Sequence, residues 1–291
     1  MSEGHAITIK HILFPFDFSD QGSRAAPFVR ALATRFDARV TILSVVPPAF
    51  DVMPAGMGVR AGEEASDWIG ALQSRLDQAL ITELDGVPVE RIADAGDPGF
   101  RIADFAHGHA VDLIMMPTRG LGLFRSLLVG SAAAKVLHDA RCPVWTAAHA
   151  EPPRTGGLPK TILCAVDGSP ASGALLEWAA DFSTRVGAAL KLLHVVGSIS
   201  DWPSLESERA LQEQVRQVAH VKIASLQASA DVQAPLRVAV GDIMATVTEN
   251  AREEGADLIL IGRGSLQSAL GRLRTHAYGI IQRSPCPVLS V

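Results

Sequence analysis

The sequence has few cysteines, no long apolar run and no basic excess, and each of these absences excludes a class of protein. Its three cysteines (Cys142, Cys164 and Cys286) are odd in number and far apart, which excludes a disulfide framework and fits a reducing compartment. No apolar run approaches the roughly 18 residues of a membrane-spanning helix, and residues 1–10 lack the core of a signal peptide. The formal net charge of −5 disfavours nucleic acid as a partner. We therefore expect a cytoplasmic protein with neither a membrane nor a nucleic-acid partner.

What the sequence does contain is a regular alternation of strand and helix patterns. The chain has 291 residues, of which 48% are hydrophobic, enough for two domains with buried cores. In the first half, apolar residues at helical spacing from Trp68 to Leu84 predict one of the helices. Five short apolar runs predict strands: His11–Phe16, Val40–Val46, Val89–Ala93, Leu113–Met116 and Val144–Ala147. This alternation predicts an α/β fold with a parallel sheet and helices on both faces.

The pattern of the first half is repeated in the second half. Asp17 follows the first predicted strand, and Asp167 follows the corresponding strand 150 residues later. Four further landmarks recur in the same order: a β-rich second strand, Gly-Asp before a helix, Asp-Leu-Ile in the fourth strand, and Cys-Pro-Val at the last strand. An internal duplication follows from this. We predict two domains, residues 1–149 and 158–291, joined by a Pro- and Gly-rich linker at 150–157.

A glycine loop in the first half has the arrangement of a phosphate site. The strand Leu113–Met116 is followed by Gly120, and nine residues separate this glycine from Gly130 and Ser131, where a helix begins. Glycine lets the backbone approach an anion, and the free N–H groups of a helix N-terminus point toward it. Ser131 could cap the helix or donate to a phosphate; an ordinary strand-to-helix loop is the alternative. Two basic residues of the loop could add positive charge: Arg119 and Arg125.

Taken together, these motifs resemble the universal stress protein family in both halves. The resemblance covers nearly the whole chain. It implies two tandem, doubly wound, five-stranded parallel sheets with the strand order 3-2-1-4-5. The nucleotide-binding members of the family carry Gly-x-x-Gly, nine residues, then Gly-Ser or Gly-Thr, and bind ATP at the carboxyl ends of the strands. Family domains also pair through their last strands, which implies either a pseudo-two-fold tandem monomer or a homodimer.

In the first half, the resemblance implies a nearly complete nucleotide site. Asp17 and Val45 match the positions beside the adenosine, although Asp17 could instead be a helix N-cap. Pro117 replaces the first glycine and removes one backbone N–H. The full set implied to bind nucleotide is Pro15, Phe16, Asp17, Val45, Met116, Pro117, Gly120, Gly130, Ser131 and Ala132. The implied ligand is ATP, with Mg²⁺ on its phosphates; no catalytic residue and no metal-binding residue is predicted.

The second half departs from the nucleotide-binding pattern. In the turn Gly262-Arg263-Gly264-Ser265 the glycines are one residue too close, and Arg274-Thr275 stands where Gly-Ser is expected. A basic cluster occurs here: Arg272, Arg274 and His276. These side chains could hold an anion or pair with carboxylates at a domain interface, and we favour the interface.

The leading functional hypothesis is a tandem universal stress protein that binds ATP or a related adenine nucleotide in its N-terminal domain. It would act as a sensor or regulator of the stress response, with an unidentified protein partner. Two alternatives stay open: a nucleotide-free interaction module, and a weak ATPase. The lysine of a P-loop does not follow Gly130-Ser131, and no general base is visible, so an enzyme is not the leading interpretation.

Overall fold

The structure is a computed structural model, and it divides the chain into two compact units. It describes residues 7–47, 63–117, 130–147, 157–197, 205–263 and 272–291, with the backbone alone at 63–67, 205–210 and 272–275. The N-terminal domain comprises Thr8–Leu158. The C-terminal domain comprises Pro159–Val291 together with Ile7, whose backbone N–H donates to Asp181. The predicted linker at 150–157 lies outside the described residues except for Gly157.

The N-terminal domain has the predicted parallel α/β fold. Its strands are β1 (His11–Pro15), β2 (Arg39–Val46), β3 (Val89–Ala95), β4 (Leu113–Pro117) and β5 (Val144–Ala147). The helices described between them are α1 (Asp20–Phe36), α2 (Glu63–Asp77), α3 (Pro98–Gly108) and α4 (Ser131–Asp139). All neighbouring strands are parallel, in the order β3-β2-β1-β4-β5. The fold class and the implied strand order are confirmed.

The C-terminal domain repeats the same architecture. Its strands are β6 (Thr161–Val166), β7 (Ala189–Gly197), β8 (Leu236–Gly241), β9 (Leu258–Ile261) and β10 (Val288–Ser290). The helices described between them are α5 (Ser172–Val186), α6 (Leu205–Ser229), α7 (Ile243–Glu253) and α8 (Arg272–Arg283). The order β8-β7-β6-β9-β10 matches that of the first domain element by element.

The core of each domain lies around its central strands. All five residues of β1 and all five residues of β4 are buried. Because successive side chains of a strand point to opposite faces, a fully buried strand is covered on both faces. The continuous apolar runs of the sequence therefore fold as the middle of a covered sheet.

Helix boundaries follow the capping residues in the sequence. Ser19 is the N-cap of α1 and its hydroxyl accepts from the backbone N–H of Gly22 at 3.1 Å. Asp97 is the N-cap of α3, with Pro98 in the first turn, and accepts from the N–H of Phe100 at 2.7 Å. Both helices therefore begin where a side-chain oxygen accepts from a free N–H of the first turn.

The second helix is shorter than its apolar spacing predicts. α2 ends at Asp77, and the residues that continue the pattern toward Leu84 form turns. Leu80 there has a positive φ of 56°, which an α-helix does not allow, yet it is buried. The apolar residues beyond Asp77 fill the core from turns, so periodicity alone overestimated the helix.

Candidate functional site

Three strands of the N-terminal sheet end at one edge, and several of the predicted site residues lie along it. β1 and β2 are parallel neighbours, and just past β1 the N–H of Phe16 donates to the carbonyl of Leu43 at 2.9 Å. β4 lies on the other side of β1 and ends at Pro117. Ligands of open α/β sheets bind at the carboxyl ends of the strands. The fold therefore brings Asp17, Val45 and Pro117 to the edge where a ligand is expected.

The turn after β1 is held by the carboxylate of Asp17. Its Oδ1 accepts from the backbone N–H of Ser19 at 3.1 Å, and Phe18 between them has a left-handed φ of 59°. Because Ser19 supplies the cap of α1, Asp17 is not the helix N-cap, which was the alternative interpretation. Asp17 is half-buried at the sheet edge, so the turn fixes a carboxylate where the sheet ends.

Of the two aromatic residues of this turn, Phe16 belongs to the core and Phe18 is half-buried. Phe16 is 5% exposed, and a methyl group added at Gly22 would lie 2.8 Å from its ring. The rings of Phe16 and Phe18 have centroids 5.0 Å apart, and the guanidinium of Arg75 lies 3.9 Å from the centroid of Phe18. Two further predicted residues are also buried: Pro15 and Met116. These three buried residues can serve a ligand mainly as a wall and through their backbone.

The start of α4 has backbone N–H groups that the helix itself does not pair. Gly130 is the N-cap and makes no side-chain cap bond, and the first intrahelical bond runs from the N–H of Ala134 to its carbonyl at 2.8 Å. The N–H groups of Ser131, Ala132 and Ala133 therefore have no partner within the helix. Ser131 is the first helical residue and exposed. Of the two roles considered for Ser131, that of helix cap is excluded, because the cap position falls on Gly130.

The remaining predicted contacts lie at the end of β4 and beyond it. Pro117 is buried, aligns with Ala147 of β5, and has no N–H to give. Three predicted residues, Arg119, Gly120 and Arg125, lie outside the described residues. The described part of the site is therefore the strand edge and the start of α4.

The start of α4 is anchored to α3 by a close helix contact. A methyl group added at Gly99 would lie 2.8 Å from Cβ of Lys135 and 3.2 Å from the carbonyl oxygen of Ala132. The ammonium of Lys135 pairs with the α3 cap, Asp97, at 3.0 Å, and lies 5.6 Å from the centroid of Phe100. The hydrogen bonds from Phe100 and Lys135 lower the pKa of Asp97 below its usual value. This contact sets the position of the donors at the α4 start.

In the C-terminal domain, the corresponding turn is built with hydroxyls rather than rings. Asp167 follows β6, and its Oδ1 accepts from the N–H of Ser169 at 2.9 Å and from the hydroxyl of Ser172 at 2.8 Å. Gly168 has a φ of 71°, the conformation that Phe18 adopts in the N-terminal domain. Partial shielding from solvent raises the pKa of Asp167, but the hydrogen bonds from Ser169 and Ser172 outweigh it and leave that pKa below its usual value. The carboxylate is therefore held in its ionised form.

A cavity of about 190 Å³ lies beside this turn, at the carboxyl ends of β6, β7 and β9. Its wall is mostly apolar, and six of the contributing side chains are Leu175, Leu193, Val195, Val247, Ile261 and Ile280. Asp167, Ser169, Ser172 and His276 add polar groups to it. His276 comes from α8, whose start replaces the Gly-Ser helix start of the N-terminal domain.

This cavity was not predicted, because the second domain lacks the Gly-Ser of the nucleotide-binding pattern. The signal lies in the spacing of Asp167, Ser169 and Ser172, which places two donors beside one carboxylate. Of the predicted basic cluster, His276 lies on the cavity wall. The side chains of Arg272 and Arg274 lie outside the described residues, so their proposed roles remain predictions.

Neither a metal-binding cluster nor a membrane-spanning helix occurs in the described ranges. Within them, no group of three or more His, Cys, Asp or Glu side chains is placed to hold a metal ion. None of the helices found there is both long enough and apolar enough to cross a membrane.

Comparison with known proteins gives one family for both halves of the chain. The model of the universal stress protein family matches residues 8–147 and again residues 159–291. A universal stress protein of Mycolicibacterium smegmatis is 25% identical over 289 residues, which cover 96% of each chain. One from Thermus aquaticus is 37% identical over 141 residues, or 46% of this chain and 96% of the relative.

A solved structure shows the same fold over the whole chain. The crystal structure of a universal stress protein from Archaeoglobus fulgidus DSM 4304 matches with a TM-score of 0.70 at 20% sequence identity. The match covers 98% of this chain and 96% of that chain. At this identity, the likeness is one of fold.

Proposed function

Because this chain belongs to the universal stress protein family, we propose that its N-terminal domain binds ATP or a related adenine nucleotide. In this proposal the protein is a cytoplasmic sensor or regulator of the stress response. Its activity is binding, and no residue is assigned a catalytic role.

The observation that supports this proposal best is the start of α4. Three consecutive N–H groups, those of Ser131, Ala132 and Ala133, have no partner within the helix, and the cap residue Gly130 has no side chain to cover them. The positive end of the helix dipole adds to their attraction for an anion. The triphosphate of the nucleotide would bind here, with the hydroxyl of Ser131 as a further donor.

The adenosine would lie along the strand edge. Asp17 keeps acceptor capacity after it accepts from Ser19, because an ionised carboxylate has about four lone-pair sites. It would accept from hydroxyl or amino groups of the adenosine. Val45, half-buried near the end of β2, would supply an apolar wall for the base, and Phe16 and Met116 would support that wall from the core.

A magnesium ion bound with the nucleotide would be held mainly by the phosphates. This is how Mg²⁺ commonly binds, with one or two carboxylates at most from the protein. It fits the described residues, among which no cluster of metal-binding side chains occurs. The ion would neutralise part of the triphosphate charge at the start of α4.

A nucleotide-free interaction module is the second candidate, and Pro117 is the observation that favours it. Proline at the end of β4 withholds an N–H at the strand edge where the family pattern has glycine. If that contact is essential, the N-terminal domain has the fold of a nucleotide site without its affinity.

Isothermal titration of ATP in the presence of magnesium separates the two candidates. We expect about one ATP per wild-type chain and binding at least about 100-fold weaker in Gly130→Glu, because a like charge beside the triphosphate costs several kcal/mol. The matched control is Gly173→Glu, the same change near the start of α5, where added atoms meet no neighbour within 4 Å. It should bind ATP as the wild type does.

The absence of ATP binding by the wild-type protein would favour the interaction module. Binding that is unchanged in Gly130→Glu would place the nucleotide elsewhere and overturn the assignment of α4.

A further inference from the structure

We propose that the cavity of the C-terminal domain is a second ligand site, which takes a compact apolar amine: one ring or branched chain that carries a protonated nitrogen. This inference is independent of nucleotide binding by the N-terminal domain. It stands on the cavity wall, on the cavity volume, and on the carboxylate at its edge.

The wall fits an apolar body. Side chains from three strands and three helices converge on the cavity, and Leu193, Val247 and Ile261 are almost fully buried. Small-molecule sites have this composition, an apolar lining with a few polar groups that fix the orientation of the ligand. A strongly hydrated ligand would lose hydrogen bonds to water here, and the apolar wall would not replace them.

The volume fits one ring with a short substituent. The cavity measures about 190 Å³, and an apolar protein cavity of about 150 Å³ accommodates benzene. A triphosphate nucleotide is several times larger than this, and the Gly-Ser helix start is absent from this domain. The C-terminal cavity therefore has room for one ring and lacks the helix start at which a triphosphate would bind.

The charge fits a cation. Asp167 contributes to the cavity lining and is exposed, and the hydrogen bonds from the N–H of Ser169 and the hydroxyl of Ser172 both fall on its Oδ1. An ionised carboxylate accepts more hydrogen bonds than these two, and a charge-assisted bond from an ammonium is about twice as strong as a neutral one. An amine at the edge of the cavity would donate hydrogen bonds to the remaining acceptor sites of this carboxylate.

Basic side chains among the described residues also lie near the cavity. His276 lines its wall. The ammonium of Lys222 lies 3.5 Å, and Cε1 of His194 3.6 Å, from the place of a methyl group added at Gly168, and neither residue lines the cavity. Among the described residues that line the cavity, Asp167 is the one that supplies a carboxylate for a cationic ligand.

Methyl NMR of the full chain provides the test. Benzylamine and benzyl alcohol, which share a shape but differ in charge, are titrated near pH 8 into protein with labelled Ile, Leu and Val methyl groups. We expect saturable shifts at Val195, Val247 and Ile261 with benzylamine. The affinity for the alcohol, and that of Asp167→Asn for the amine, should be about tenfold lower.

Asp167→Asn keeps an oxygen for the two serine donors, so the turn can be retained while the charge is removed. Its control is Asp231→Asn, which removes one exposed charge from the same domain away from the cavity and should leave the affinity for benzylamine unchanged. Equal affinities for amine and alcohol, an unaffected Asp167→Asn, or the absence of saturable shifts would each overturn the proposal. ATP titration of the same Asp167→Asn protein keeps this test separate from that of the N-terminal site.

Discussion

The two domains share a strand order, but they differ in which helix supplies the small residue where the last two helices of each domain pack together. In the N-terminal domain, α3 contributes Gly99 and α4 contributes the stem of Lys135. In the C-terminal domain, α7 contributes Met244 and α8 contributes Gly279, where an added methyl group would collide with the Met244 sulfur. Either helix can supply the small residue, provided that the other supplies the long one. The contact therefore limits the combined size of the two facing residues, but it does not fix which of them is small.

The turns after the first strands differ in a way that bears on function. In the N-terminal domain the ring of Phe16 covers Gly22, and Asp17 accepts from Ser19. In the C-terminal domain Ser172, in place of that glycine, donates to Asp167 beside a cavity. The duplicated fold thus keeps a carboxylate at the same edge and changes what surrounds it, and the two ligands proposed for the two halves rest on this difference.

The largest effect on stability is expected when the long residue that α7 carries in the C-terminal domain is introduced at the matching position of α3, while Lys135 of α4 is left in place. Gly99→Met places a Cβ 2.8 Å from Cβ of Lys135, closer than such atoms approach, and 3.2 Å from the backbone oxygen of Ala132, which is a tight contact. Overpacking of this kind lowers the free energy of unfolding by about 2 kcal/mol. Hydrogen exchange of α3 and α4 amides, read by mass spectrometry, measures the loss in this domain.

A second substitution on the facing helix, Lys135→Gly, tests whether the two positions compensate each other. Lys135→Gly alone should lower the free energy of unfolding by about 1 kcal/mol, because glycine disfavours a helix. The loss of the ion pair with Asp97 adds to this. Gly99→Met with Lys135→Gly recreates the C-terminal arrangement, and it should be more stable than the sum of the single losses by about 1 kcal/mol. Simple additivity would show that the two positions do not compensate each other.

The fold could be predicted because its signals are local and repeated. The apolar run ending at Asp17 recurs at Asp167, and caps such as Asp97 mark helix starts. The end of α2 could not be predicted, because Leu80 and Leu84 continue the helical spacing while they fill the core from turns. Periodicity reports burial, and burial does not require a helix.

The candidate sites were less predictable than the fold. Asp17 and the glycine helix start at Gly130 follow from motif spacing, but the roles of Phe16 as core and of Gly130 as cap depend on side-chain packing and backbone angles. The C-terminal cavity depends on residues such as Ile243 and Ile261 from distant strands and helices. No short motif relates them, because the sheet brings them together.

A smaller effect is expected at the start of the first helix of each domain. Ser19→Ala removes the cap of α1 and should lower the free energy of unfolding by about 1 kcal/mol. Ala171→Ser, at the cap position of α5, should change it by less than about 0.5 kcal/mol, since Ala171 has helical backbone angles unsuited to a side-chain cap. Urea unfolding monitored by exchange in α1 and α5 checks both. A clear gain from Ala171→Ser would show that α5 begins differently.

The smallest effect is expected in the stability of the protein at acidic pH, and it depends on the ionisation of Asp167. Its folded-state pKa lies below its ordinary value of 3.8, so its hydrogen bonds contribute stability above about pH 4 that is lost as the pH falls through the folded-state pKa. Ser172→Ala removes one donor and should raise the pKa of Asp167 toward 3.8. Carbon-13 NMR of the side-chain carboxyl measures this shift directly.

The stability change should be small, because Asp167 is exposed and solvent screens its interactions. Ser172→Thr, which keeps the hydroxyl, should retain the lowered pKa of Asp167 and so separates the lost donor from a general disturbance of the turn. If Ser172→Ala leaves the pKa of Asp167 unchanged, the backbone N–H of Ser169 is sufficient to hold the carboxylate ionised. The turn would then match that of the N-terminal domain, where Asp17 accepts from the backbone N–H of Ser19, and the contrast between the two domains would reduce to the aromatic rings and the cavity.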